Sequence, residues 1–347
     1  MRAAVTTKPG VLEVASVDAP AGPGPNEVLL RPELVGVCGS DLHLFHGHLP
    51  VTPRRGDSLY PVIQGHEVCA VVEELGSGTA SSGLAVGDRV AVWPLSSCGA
   101  CYPCGVGRGS VCDAFELIGV HTNGGLAEQL VVAADHVFGI GDLAATLGAF
   151  VEPMAVAVHA IQRGRVEAGE PVVVLGGGPI GQASLLAAKA KGARVCLSEP
   201  VAARRERALA LGADEVADPA DGDLLDRART FGGRGVAVVV DTTGAPAGLR
   251  SAIEMVASAG RVVVVGISGD EASIPLGPFT DKEFDVLGSS CHDRRDVEAA
   301  IEVVRAAGAV LEAQLGPEYP LDRAADAFEL AGAHPESAMK VFVRVTG

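Results

Sequence analysis

A mainly β domain followed by an α/β domain with a parallel sheet is the architecture this chain predicts, and three observations carry it. Short β-branched runs bounded by glycine and proline fill residues 1–150, and strand-like runs alternate with alanine-rich helical segments beyond them. A glycine-rich turn joins the first of those later strands to its helix. The 347 residues suffice for two domains with separate cores. A hydrophobic content of 48% excludes a disordered chain.

In the first part, residues 28–37, 68–75, 89–93 and 126–132 carry the apolar runs, and their turn-bounded spacing reads as antiparallel or barrel-like sheet. In the second, PVVVLG precedes IGQASLLAAKAKG, RVCLSE precedes ARRERALALG, and VAVVVD precedes LRSAIEMVASAG, with RVVVVG next. Buried strands and helices alternating in this way are βαβ units. The last stretch holds LGSS, a helix-like DVEAAIEVVRAAG and the strand KVFVRV. The divisions fall at 1–150, 151–288 and 289–347.

Within the first part, Cys98, Cys101, Cys104 and Cys112 occupy one run, CGACYPCGVGRGSVC. Closely spaced thiolates wrap a tetrahedral cation, and the glycines between them let the loop turn each sulfur inward. Four sulfurs leave no position for substrate, so a zinc held there is structural.

The run VVVLGGGPIGQASLLAAKA sets Gly176, Gly178 and Gly181 between a strand and a helix. Such glycines permit a tight turn, the approach of a pyrophosphate and close packing of helix on strand. A second strand ends in Glu199 about twenty residues on, as a dinucleotide fingerprint requires. Pro179 and Ile180 in the loop, and Gly266 closing RVVVVG, belong to the same expected site. The Glu199 carboxylate can accept from both ribose hydroxyls and repels an added phosphate, which favours NAD over NADP. Arg204 and Arg205 pull the other way, because a guanidinium pairs with phosphate; a solvated face or adenine stacking also accounts for them.

A net charge of −16 disfavours nucleic acid and anionic membranes as partners. The first residues hold no apolar run of signal-peptide length, and no eighteen-residue apolar stretch occurs, so the expected location is cytoplasmic. There, eight cysteines read as thiols and metal ligands.

Further donors are scattered: Cys38, Ser40, Asp41 and His43 in GVCGSDLHLFHG, His66 and Glu67 in GHE, and Glu152 in FVEPMAVAVHA. One thiolate, one imidazole and one or two carboxylates make a zinc set with an open position. No spacing rule joins them, and a buried thiol or a core histidine explains each taken singly.

The series GVCGSDLH, GHE, CGACYPC with its fourth cysteine, GDRV and GGGPIG resembles the zinc-dependent medium-chain alcohol dehydrogenases, in order over essentially the whole chain. The glutamate in VEPMAVAVHA is similar to the sorbitol, threonine and sugar-acid branch. The resemblance implies a GroES-like catalytic domain, a Rossmann cofactor domain and a C-terminal piece returning to the former. It implies two zincs per chain: a structural one on the four-cysteine run, and a catalytic one on Cys38, His66 and either Glu67 or Glu152. Asp41 then orients His66, and a substrate hydroxyl loses its proton through Ser40 and the nicotinamide ribose to His43.

The activity so implied is NAD-linked oxidation of a secondary alcohol, a polyol or sugar acid. L-threonine or a vicinal diol is an alternative substrate class. A noncatalytic dinucleotide-binding protein with structural zinc alone is an alternative of another kind. Arg54 and Arg55 are candidates to meet a substrate carboxylate, with a solvated loop as an equal reading, and Trp93, Phe45 and Glu128 are candidates to line the substrate site or to serve structural roles. The resemblance further implies a homotetramer, with a dimer as the smaller option; RVVVVG and the following ISGDEASIPL are compatible with a sheet edge that pairs copies, and equally with burial within one copy.

Overall fold

The β-rich part is built around the ten-residue strand Glu27–Gly36, whose buried Val28, Leu30, Leu34 and Val35 follow from its apolar run. The computed structural model describes residues 1–48, 59–334 and 336–346. Arg54 and Arg55 lie outside the described residues. The sheet runs Val137–Gly139, Arg89–Val92, Glu67–Leu75, Glu27–Gly36, Phe342–Arg344, Glu318–Pro320, and Leu130–Ala133 also pairs with Glu27–Gly36. Its pairings are antiparallel except that between Glu318–Pro320 and Phe342–Arg344.

Register decides what this sheet brings together. Gly36 pairs with Glu67 on one side and with Phe342 on the other. Segments bearing Cys38, His66 and Lys340 therefore meet at one place, although the chain separates them widely. The expected strand over 126–132 is shorter: Leu130–Ala133 is extended and paired, whereas Leu126 enters the core from a loop fixed by Ala4 and Gln64.

The second unit spans Pro153–His292 with Ala309–Leu311; the first holds Met1–Glu152, Asp293–Gly308 and Glu312–Gly347. Its sheet is parallel throughout, in the order Glu215–Ala217, Arg194–Ser198, Pro171–Leu175, Val236–Asp241, Val256–Val264, Asp285–Gly288. Pro171–Leu175, the first of these strands along the chain, lies inside and the order reverses beside it, which is the doubly wound pattern whose crevice opens at the carboxyl ends of the strands. Val172, Val173, Val174, Val238, Val239 and Val240 are buried on both faces, as central parallel strands demand.

One expectation changes here, and one open reading is decided. The helix Pro246–Met255 stops five residues before the end of LRSAIEMVASAG, and Val256 already pairs with Val236. A side chain on Gly260 would press on Val256 and the Ala257 carbonyl, so this bend admits only glycine. Of the two readings of RVVVVG, burial within one copy holds: it lies between Val236–Asp241 and Asp285–Gly288, and the sheet's edge strands are Glu215–Ala217 and Asp285–Gly288. Among the described residues, no helix is long and apolar enough to cross a membrane.

Candidate metal centres and dinucleotide site

The short helix Gly39–Phe45 begins where strand Glu27–Gly36 ends, with Cys38 as its N-cap. Asp41, at the third helical position, accepts a hydrogen bond from the Cys38 amide at 2.9 Å. Its other oxygen stands 3.3 Å from His66 Nδ1. One buried carboxylate thus fixes the thiol-bearing residue and the imidazole together, and directs Nε2 away from itself. Gln64 supports the arrangement by donating from Nε2 to the Asp41 carbonyl at 2.9 Å. Ser40 Oγ lies 3.3 Å from His66 Nε2. His43 is exposed, one helical turn beyond Ser40 on the same face.

Cys38, His66 and Glu67 offer donor atoms that all lie within 4.8 Å of one another. Sulfur, nitrogen and oxygen in a set of three suit a zinc that keeps a position open. Glu67 Oε2 is buried without a hydrogen-bond partner, a state that a cation would relieve. Glu152, in the first turn of helix Val151–Arg163, is not one of that close group. It is nevertheless near enough for its charge to act on Glu67.

Lys340 had no signal in the sequence. Its Nζ donates to Glu67 Oε1 at 2.6 Å and to the Val37 carbonyl at 3.1 Å, and the side chain is buried. Burial pushes the Glu67 carboxyl above its ordinary range, against the pull of Lys340. Burial would also lower the Lys340 ammonium, but Glu67 and Cys38 outweigh it and hold the group charged. For His66 burial again disfavours the proton, and Asp41 and Cys38 together hold the ring well above its ordinary value.

The four-cysteine run forms a separate, shallower group, with donor atoms likewise within 4.8 Å of one another. Cys101 Sγ is 3.4 Å from Cys104 Sγ and 3.7 Å from Cys112 Sγ. The Cys98 and Ala114 amides both point at Cys112 Sγ from 3.2 Å, the orientation a thiolate attracts. Backbone amides of Ala100 and Cys101 pull the Cys98 thiol down to about 6. This donor set fits a closed zinc site.

In the second unit, Gly176 takes φ 94°, and a side chain on Gly181 would overlap the Gly176 carbonyl. Nothing lies within 4 Å of the place a Gly178 side chain would take, which leaves the approach that a pyrophosphate needs. Pro179 opens the helix Pro179–Ala190 at a position where its missing N–H costs nothing, and Ile180 follows it. Gly177, outside the three-glycine pattern, is required too: a Cβ there would press on the Glu199 side chain. Gly266 sits against Gly244, so its lack of a side chain is already used by the protein itself.

Glu199 is buried and held by the amides of Gly177 at 2.7 Å and Val201 at 2.9 Å. Each oxygen keeps a further lone pair for a ribose hydroxyl. Arg204 Nη1 stands 3.5 Å from it. Arg205, by contrast, turns its Nη1 onto the carbonyls of Glu199 and Pro200 and stands 2.9 Å from Asp218. Gln182 joins the glycine loop to this corner, donating to the carbonyls of Gly177 and Arg204. Asp241, also missed in the sequence, is buried and fixes Thr243 through its amide and hydroxyl.

Three expected lining residues have other partners. Glu128 accepts from the Arg2 amide at 2.8 Å, Trp93 stacks on His136, and Phe45 packs edge-on against Phe328.

Comparison with known proteins follows the same division of the chain. Residues 24–142 match the family described as alcohol dehydrogenase GroES-like domain, and residues 179–306 match zinc-binding dehydrogenase. The 2-dehydro-3-deoxy-L-galactonate 5-dehydrogenase of Pseudoalteromonas atlantica is 36% identical, over 92% of both chains. The crystal structure of an alcohol dehydrogenase from Escherichia coli CFT073, complexed with NADH, superposes with a TM-score of 0.89 at 28% identity, over 99% of each chain. A protein from Sinorhizobium meliloti described as a zinc-binding dehydrogenase, bound to NADP, also gives 0.89, at 33% identity over 99% of each.

Proposed function

Because the chain belongs to the zinc-binding dehydrogenases with an alcohol dehydrogenase GroES-like domain, we propose that it oxidises a secondary alcohol of the polyol or sugar-acid class with NAD. The observation that carries this reading is the convergence of Cys38, His66 and Glu67 from two distant segments around one point, with His66 and Glu67 buried and Cys38 half-buried. Residues 1–150 and 289–347 would form the catalytic domain and 151–288 the cofactor domain. Cys38, His66 and Glu67 would hold the catalytic zinc with Glu152 close by, and Cys98, Cys101, Cys104 and Cys112 the structural one.

When bound, the catalytic zinc supplies Lewis acidity that lowers the pKa of a substrate hydroxyl. The nicotinamide supplies the hydride acceptor. Ser40, beside His66 Nε2, is placed to accept that hydroxyl's hydrogen bond and, as it receives the proton, to donate its own onward through the nicotinamide ribose. His43, exposed one turn along, is the group that releases the proton to solvent. Asp41 keeps Cys38 and His66 in register throughout. Glu199, with its oxygens already oriented by two amides, is the ribose acceptor, and its charge supports NAD over NADP. Arg205 turns Nη1 to backbone carbonyls and Asp218, and Arg204 is the arginine of the pair beside the Glu199 carboxylate.

The free strand edge Asp285–Gly288, with Val286 exposed, supports association of copies into a dimer or tetramer. A cytoplasmic location fits the free thiols. The test is a rate panel of aldonates, polyols, L-threonine and 2,3-butanediol with NAD and with NADP, run alongside metal analysis. Turnover of sugar acids or polyols with NAD and two zincs per chain is expected. Exclusive turnover of threonine or butanediol would move the substrate class. One zinc per chain and no turnover would sink the enzymatic reading.

A further inference from the structure

A lysine buried in a protein interior is costly unless something repays its desolvation. Lys340 is 4% exposed, and its ammonium contacts Glu67 Oε1 and the carbonyl of Val37, the residue before Cys38. Glu67 Oε2 remains without a partner, and a side chain on Gly36 would overlap it. One carboxylate oxygen is therefore tied, and the other is left free in a space that Gly36 keeps open.

We infer that Lys340 is a positioning residue of the Cys38–His66–Glu67 centre: it ties Glu67 Oε1 and leaves Oε2 as the donor. The inference rests on the zinc-centre reading above. Its test uses full-length chain stripped of metal and reloaded with Co(II) alone, read by the visible ligand-field spectrum and by chelator competition. Lys340→Met should alter the spectrum of the mixed-donor site and weaken Co(II) binding there by about 10–100-fold, the range for residues that orient a metal ligand. Removing a cation would by itself tighten binding, so a loss reports positioning. Unchanged spectrum with equal or tighter binding would overturn the inference.

Lys340→Met can fail to fold, because it strands the Glu67 charge. Lys340→Met/Glu67→Gln removes both charges and covers that outcome. If Lys340 acts through Glu67, this pair should bind Co(II) at least as tightly as Glu67→Gln alone; weaker binding would show a role in the fold instead, and the inference would fall. Cys38→Ala in the same assay separates the two layers of argument. A Cys38→Ala chain that keeps both metals defeats the zinc-centre reading itself. One that loses a metal, beside an unaffected Lys340→Met, defeats only the role of Lys340.

Discussion

The four-cysteine lobe and the Cys38–His66–Glu67 centre gather metal donors in opposite ways. The lobe draws its ligands from one run of fifteen residues, and its Tyr102, Val106 and Val111 stay exposed. Glycines and backbone amides shape it, and little apolar packing supports it. The other centre takes its donors from the ends of paired strands, walls them in core, and fixes them with the side chains of Asp41 and Lys340. A metal in the first setting substitutes for a core that the loop lacks. A metal in the second is added to a scaffold that already exists. The first should therefore govern stability and the second chemistry.

Exchange of roles would break this contrast most directly. Cys38→Ala should cost at least ~10³-fold in kcat/KM, since Lewis-acid assistance amounts to several kcal/mol, with the melting temperature nearly unchanged. Cys101→Ser should do the reverse, lowering unfolding free energy by on the order of several kcal/mol while folded molecules retain turnover. Calorimetry and steady-state rates on both variants decide it. Should Cys101→Ser leave the melting temperature unmoved, the lobe is not the stabilising element.

Thiol chemistry extends the contrast to cysteines with no metal role. Burial pushes Cys69 and Cys196 up to about 12. Their thiolate fraction at pH 8 is then roughly a thousandfold below that of an ordinary thiol, and grows only as pH climbs toward that value. After chelation, iodoacetamide should label Cys98, lowered to about 6, and spare these two, as peptide mass spectrometry would reveal. Equal labelling of Cys69 in the folded chain would contradict its placement in the core.

Within the buried centre, Asp41→Asn keeps the shape and removes the charge that faces His66. Metal affinity should fall by about 10–100-fold at this centre and not at the lobe. Equal losses at both sites would mean that Asp41 supports the fold generally.

The smallest effect supplies a scale. Burial would raise the Asp214 carboxyl, but Lys189 and the Val195 amide outweigh it and hold it below its ordinary value. A depressed carboxylate contributes stability above its unfolded pKa and loses it as pH falls through the folded one. Asp214→Asn should therefore flatten the acid limb of the stability curve, by less than about 1 kcal/mol because the pair is substantially exposed. A larger change would mean that exposed pairs here rival the buried Lys340–Glu67 pair.

What the sequence disclosed follows the same contrast. The lobe, the glycine turn and Glu199 were legible because their partners lie within one or two neighbouring segments. Cys38, His66 and Glu67 stood out through their motifs, yet no spacing joined them; the Gly36 register does so. Lys340 was invisible because its meaning depends on a partner 273 residues away. Arg205 misled for a related reason: two arginines in one helix are chemically alike, and only folding turns one onto carbonyls and leaves the other by Glu199. The helix over 246–260 was read too long because alanine and serine favour it locally, whereas pairing of Val256 with Val236 prevails.

The seating of strand Phe342–Arg344 beside Gly36 carries an implication for biosynthesis. On the ribosome, the thiol and imidazole emerge early and must wait for most of translation before the ammonium arrives. A metal held in that pocket as the structure shapes it would accordingly be taken up by the finished polypeptide, whereas the cysteine loop could capture an ion while the rest is still being made.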